Sequence, residues 1–168
     1  LVRYQGGAAA RRPQRCPCCH KARPMMLALL LAAAQTASLP ASLPLDAASL
    51  ARLPRATASF TAHGQQHQCE GVWLADLAAA SGLPAGEALR GPALLTVLRA
   101  EAADGYRVAF TLAEIDRKLG NHPVLIADRC DGAALPAADG PLRLVVPGEA
   151  RAARSVRQLQ AVKVINQP

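Results

Sequence analysis

The sequence predicts an α+β fold, a mixed β-sheet carrying short helices. Two observations support this. Short apolar or alternating runs outnumber amphipathic stretches, and the helical stretches fall between hairpins instead of following every strand. Composition adds that 51% of residues are hydrophobic but only 3% aromatic. Ala, Leu and Val must therefore fill the core through many small contacts. At 168 residues, one domain with a tail is expected.

Charge separates the tail from the body. Of the 19 basic residues, six (Arg3, Arg11, Arg12, Arg15, Lys21, Arg23) fall in residues 1–37, which hold none of the 12 acidic ones. The remainder carries 13 basic against 12 acidic residues, a near-neutral body without the basic footprint that nucleic-acid binding needs. Met26–Ala34 (MLALLLAAA) has the length of a signal-peptide apolar region and is too short to span a bilayer. Residues 1–37 are thus read as a basic leader and signal peptide, with cleavage before Gln35 or after Ala37. The mature chain is expected to be exported to the periplasm, with no transmembrane helix. Met25-Met26 directly precedes the apolar run, so residues 1–24 are read as upstream of the true start. Cys16, Cys18, Cys19 and His20 lack the C-x₂-C spacing and second ligand pair of a zinc site. Cys69 and Cys130 remain in the body, where a disulfide or two buried thiols are both open.

Residues 38–44 (SLPASLP) read as a linker, and the domain as 45–166. Asp46 caps a helix over Ala47–Leu53 that Pro54 ends. Ala56–Ala62 alternates as a strand, and His63-Gly64-Gln65 turns into a second, His67–Glu70. Leu74, Leu77 and Ala78 stand at helical spacing in a helix that Gly82 stops. Ala85–Arg90 is a helical turn before Gly91-Pro92. Leu94–Ala100 and Tyr106–Phe110 form a hairpin around Ala103-Asp104-Gly105. Thr111 and Glu114 make a capping box for a helix over Leu112–Leu119, stopped by Gly120. Strands follow at Val124–Ala127, Leu142–Val146 and Ala161–Ile165, with a turn at Asp131-Gly132.

Chemistry concentrates near the end. Beyond the Pro147-Gly148 corner come Arg151, Arg154 and Arg157 at a spacing of three. Guanidinium groups present a rigid fork to phosphate oxygens, so the corner is a candidate anion cradle; a solvated helical turn is the plainer alternative. Arg143 interrupts an apolar strand, where its charge needs a partner or a ligand; Asp128 and Asp139 are the candidates. Tyr106 opens a strand directly after a turn. His67 and Cys69 could share a strand face, yet two metal ligands without a third are weak, and His67 reads as an exposed edge-strand residue. No nucleophile motif, phosphate loop or dinucleotide fingerprint occurs.

Gly71-Val72-Trp73-Leu74-Ala75-Asp76-Leu77, Asp104-Gly105-Tyr106 before Phe110-Thr111-Leu112, and Val124–Ala127 before Asp131-Gly132 and Leu135-Pro136 form an ordered set. Gly140–Gly148 (GPLRLVVPG) and Ala153-Arg154-Ser155-Val156-Arg157 complete it. The set resembles the molybdopterin-binding domain of the sulfite oxidase family. That resemblance implies an α+β domain holding a pterin-bound molybdenum for oxygen-atom transfer, with electrons passing to a redox partner protein. It also implies that Arg143, Arg154, Ser155 and Arg157 hold the cofactor, with Tyr106 beside the reacting oxygen. In the family a cysteine in a C-x-G-N-like setting anchors the metal; Thr61-Ala62-His63-Gly64 stands there, and no residue is assigned to the metal. Arg157 replaces a lysine, and Ala152 replaces a glycine. Two functions follow: a molybdopterin-dependent oxidoreductase, or a non-catalytic exported module that binds an anion or a protein in the same cleft. A plain structural periplasmic domain is the third.

Overall fold

The computed structural model describes residues 38–62 and 64–166. The leader, the CPCCH cluster and His63 lie outside them. Among the described residues nine strands form two sheets, every strand pair being antiparallel. The α+β class with short helices is what the sequence predicts; the strands divide between two sheets.

The first sheet runs β1 (Ser42–Leu43), β9 (Leu159–Ile165), β4 (Val97–Ala102), β5 (Arg107–Thr111). The second runs β2 (Ala56–Ala62), β3 (Gln65–Trp73), β6 (Leu125–Cys130), β7 (Ala133–Ala134), and β8 (Arg143–Val145) also pairs with β6. Three short helices, α1 (Ala47–Leu50), α2 (Leu74–Ala80) and α3 (Leu112–Ile115), connect them. Leu98, Phe110 and Val162 from the first sheet, Val72, Ile126 and Leu144 from the second, and Leu74, Leu77 and Ile115 from the helices join one buried cluster. Its only aromatic among these is Phe110, so small aliphatic contacts supply most of the packing. The second sheet's other face carries a smaller cluster: Ala58, Phe60, Cys69, Leu125, Ala127 and Val145. That second face is where the cavity lies.

Local chemistry explains where the elements differ from expectation. Ser42–Leu43, expected in a linker, pairs with Lys163 and Val162 because Leu43 has a core to enter. The strand expected at Leu94 begins at Val97, since Gly91–Leu95 forms a 3-10 turn with Pro92 near its start, a position where proline's missing N–H is harmless. The capping box of α3 is present in full. The helix nevertheless stops after one turn instead of reaching Leu119. Asp116, 7% exposed, turns extended and accepts the N–H groups of Gly86 and Lys118 at 2.7 and 2.8 Å. A local side-chain acceptor here outcompetes the helix. Asp131-Gly132, both at positive φ, is the two-residue loop joining β6 and β7.

One irregularity shapes the second sheet. Glu70 pairs with Arg129 but Gly71 with Ala127, so Asp128 is an extra residue, a β-bulge. The bulge aims Asp128 at Arg55, which donates from Nη1 and Nη2 to the two carboxylate oxygens at 2.7 Å each. Arg55 holds the Asp128 carboxyl below its ordinary value of 3.8. A carboxylate depressed in this way stabilises the fold above the unfolded-state value, and that stabilisation is lost as pH falls through the lower folded value. Both side chains are more than a third exposed, which keeps the pair under about 1 kcal/mol. Asp128→Asn is therefore expected to be slightly less stable than wild type in urea at pH 7. The gap closes as pH falls below 3.8.

Candidate functional site

A cavity of about 710 Å³ opens against the second face of the β2–β3–β6–β8 sheet, within the size range of small-molecule and cofactor sites. Phe60 and His67, register partners on β2 and β3, and Arg143 on β8 form part of its wall. The tip of the β4–β5 hairpin contributes Asp104 and Tyr106, and the segment after the Pro147-Gly148 corner contributes Ser155 and Arg157. Residues 60 to 157 thus meet at one place, some through pairing within the second sheet and others through the β4–β5 tip and the loop after Pro147-Gly148.

Arg143 is the most constrained of these. Its side chain is 11% exposed, its guanidinium stacks 4.7 Å from the Phe60 ring centroid, and Nη1 lies 3.4 Å from Asp139 Oδ2. Its Nε is buried without a hydrogen-bond partner. Burial pulls the guanidinium's pKa down; Asp139 opposes this, and Arg157 adds to it. Arginine stays charged regardless, so the pocket stores a cation with an unmet donor, a group that gains when an acceptor arrives. Arg157, 66% exposed, keeps only a long 3.9 Å approach to the same Asp139. Two guanidinium groups against one carboxylate leave that corner one positive charge.

Tyr106 and Ser155 have structural duties as well as cavity positions. The Tyr106 hydroxyl donates to the Ala153 carbonyl at 2.7 Å, clasping the hairpin tip to the arginine segment. Its backbone N–H donates to Asp104 at 2.8 Å. Ser155 Oγ accepts from the Val146 N–H at 3.1 Å. Tyr106 is left with acceptor capacity only, whereas Ser155 keeps its hydroxyl proton to donate to a ligand.

Arg154 is not brought to the cavity. Its Nε donates to Glu149 at 2.7 Å and Nη1 to Glu114 at 2.9 Å, and it stacks 4.8 Å from the Phe110 ring. Burial lowers its pKa, but the hydrogen bonds it donates to Glu114 and Glu149 outweigh this and raise it. The side chain fastens the Ala152–Arg154 turn to α3. Arg151 is exposed and also lies outside the cavity lining. The even spacing of the three arginines therefore hides three different environments.

Sequence reasoning missed the cavity's other polar pair. His67 Nδ1 and Asp131 Oδ2 are 2.8 Å apart, and Asp131 Oδ1 accepts the Gln68 N–H at 2.9 Å. β3 lies between β2 and β6, but the pairing with β6 begins at Cys69, so His67 is paired only with Phe60 of β2 and stands at an open strand edge, part-exposed. The signal lay in Cys69: a disulfide joins it to Cys130, its register partner across β3 and β6. That pairing brings Asp131 beside His67.

The family model described as oxidoreductase molybdopterin binding domain matches residues 45–168. The chain belongs to this family. No curated protein matches the chain. The α+β architecture and the resemblance read from the ordered motifs both agree with that membership. Molybdopterin, the family's cofactor, joins a flat pterin to a phosphate and carries a metal. The Arg143–Arg157 corner, with its unpaired buried Nε, suits the phosphate. The cavity volume suits a flat ring. The metal half does not fit: both described cysteines are consumed by the disulfide, and among the described residues no group of three His, Cys, Asp or Glu could hold a metal ion. The described residues supply no soft thiolate to tune such a centre.

Proposed function

We propose that this domain binds a phosphate-bearing, pterin-type ligand in the cavity and acts as a binding module of its family rather than as a sulfite-oxidase-type enzyme. One observation carries the reading: the fold gathers Arg143, Arg157, Ser155 and Tyr106 on one cavity, while the β3–β6 pairing locks Cys69 and Cys130 together. In this reading Arg143 and Arg157 hold the phosphate as a bidentate fork, and Ser155 offers a hydroxyl beside them. Molybdopterin with its metal would supply oxygen-atom transfer when bound; the protein's residues would bind and orient it. The disulfide supports an exported, periplasmic setting, where such bonds persist.

Purification from a host that makes the molybdenum cofactor tests this. Wild-type protein is expected to retain a fluorescent pterin, and Arg143→Met with Arg157→Ala to retain at least about tenfold less, since each lost charged hydrogen bond weakens binding by roughly 1.5–3 kcal/mol. Retention unchanged in the double variant, or wild-type protein free of pterin, overturns the assignment. A second reading, oxygen-atom transfer, draws support from Tyr106 at the same cavity; stoichiometric molybdenum with turnover of a small oxyanion or sulfoxide would establish it instead.

A further inference from the structure

We propose that His67, held by Asp131, is a third anion contact of this cavity and takes up a proton when an oxyanion binds. The inference rests on the anion-binding reading above and extends it to a residue outside the arginine corner.

The geometry fixes one nitrogen and frees the other. Nδ1 is 2.8 Å from Asp131 Oδ2, so the carboxylate holds the proton on Nδ1 and leaves Nε2 as the basic atom. Asp131 is itself immobile. Its Oδ1 accepts from the Gln68 N–H at 2.9 Å, its own N–H donates to the Gln68 carbonyl at 2.7 Å, and its backbone occupies the two-residue β6–β7 turn. The His67 bond, followed by the Gln68 N–H, keeps the Asp131 carboxyl below its ordinary range. The imidazole packs 5.5 Å from the Phe60 ring, the ring that also carries the Arg143 guanidinium on a 4.7 Å contact. The imidazole and the guanidinium thus both contact Phe60, and both residues line the same cavity.

The charges around His67 set the sign. Asp131 faces it from the β6–β7 turn, while Arg143 and Arg157 with Asp139, and Asp104 with Tyr106, line the rest of the cavity. Asp131 is hydrogen-bonded to the imidazole, and the two arginines are cations of the same cavity. An oxyanion on the arginines offers an acceptor for a proton on Nε2. Protonation and anion binding then reinforce each other, as linkage requires of two events that favour one state. The step balances simply: imidazole takes one proton from solvent, giving an imidazolium that donates from Nδ1 to Asp131 and from Nε2 to the bound oxyanion. Ligand selection follows, because the subsite favours dianionic heads such as a phosphate monoester over neutral ones.

Sulfate is the suitable probe because it stays a dianion throughout the range in which imidazole titrates. For the disulfide-bonded protein, sulfate affinity is expected to rise as pH falls from about 8 to 5, by up to about tenfold per pH unit, the limit for one coupled proton. His67→Gln is expected to bind sulfate with a flat pH profile, and Asp131→Asn to reduce the slope. Histidine-selective NMR on the wild type provides a readout independent of any variant's folding: the His67 Nε2 resonance should move toward the protonated form when sulfate is added at constant pH. A flat wild-type profile, an unchanged slope in His67→Gln, or an unmoved resonance overturns the proposal. If sulfate binds without pH dependence and Arg143→Met abolishes binding, only this inference fails. If sulfate binds at no pH, the anion-binding reading fails with it.

Discussion

Substituting Gly71 by alanine is expected to destabilise the domain by about 3 kcal/mol or more, read as a large drop in urea midpoint or as loss of the folded state. The reason is the bulge. Asp128 is the extra residue on β6 opposite the Glu70–Gly71 step, and accommodating it drives the β6 backbone against β3. A Cβ on Gly71 would lie 2.7 Å from the Ala127 Cα and closer still to the Ile126 carbonyl oxygen. Those are backbone atoms, so no side-chain rotation can relieve the clash. β3 and β6 would have to part at the centre of the second sheet, beside the buried Val72, Leu125 and Ile126. Overpacking of a core typically costs about 1–3 kcal/mol, and a backbone clash belongs at or above the top of that range. Against a stability of roughly 5–15 kcal/mol for a domain, the loss is severe. As a control, Gly82→Ala is expected to be far milder. Gly82 has positive φ but nothing within 4 Å of its Cβ position, so only local backbone strain is added. Equal effects at the two sites would show that the bulge contact is not what requires glycine.

Gly71 also illustrates what a sequence displays and what it hides. Its place in the Gly71–Leu77 motif is visible along the chain, but the bulge that demands it is a property of the Glu70–Arg129 register. Features with local causes were legible. Ala56–Ala62 is a strand over the residues its alternation implies, and Thr111 with Glu114 forms both bonds of the capping box. Features decided by a distant partner were not. α3 ends early because Asp116 accepts from Gly86, thirty residues away. Arg154 and Arg157 look equivalent along the chain, yet Glu114 and Glu149 claim the first, leaving the second to line the cavity. For Arg143, reasoning about a charge in an apolar strand narrowed the partner to Asp128 or Asp139. The bulge decides between them: Asp128 is turned to Arg55, and Asp139 faces Arg143. His67 stands at an open strand edge, but its partner was hidden: nothing near residue 67 announces the turn at Asp131 that β6 brings beside it.

Loss of the Cys69–Cys130 bond is expected to destabilise the domain by roughly 4 kcal/mol. The bond joins residues 61 apart, and a cross-link over a loop of that size restricts the unfolded chain by about this amount. The cysteines are register partners on neighbouring strands, so the native sheet gains little further order from the bond. The effect should therefore appear mainly as a lower unfolding midpoint, with sheet content kept in the folded protein. Cys69→Ala with Cys130→Ala, or reduction by a dithiol, should lower the thermal midpoint by well over 10 °C; 1 kcal/mol shifts a domain of this size by several degrees. The consequence for the site is more selective. Cys130 lines the cavity and precedes Asp131, which holds His67, whereas the Arg143–Asp139–Arg157 corner hangs from β8 and the segments beside it. At a temperature where the reduced protein stays folded, sulfate binding should persist while its pH dependence weakens, because the β6–β7 turn is freed and the arginine corner is not. Loss of both together would mean that the bond supports the whole cavity. A stability change under about 1 kcal/mol would contradict the loop argument itself.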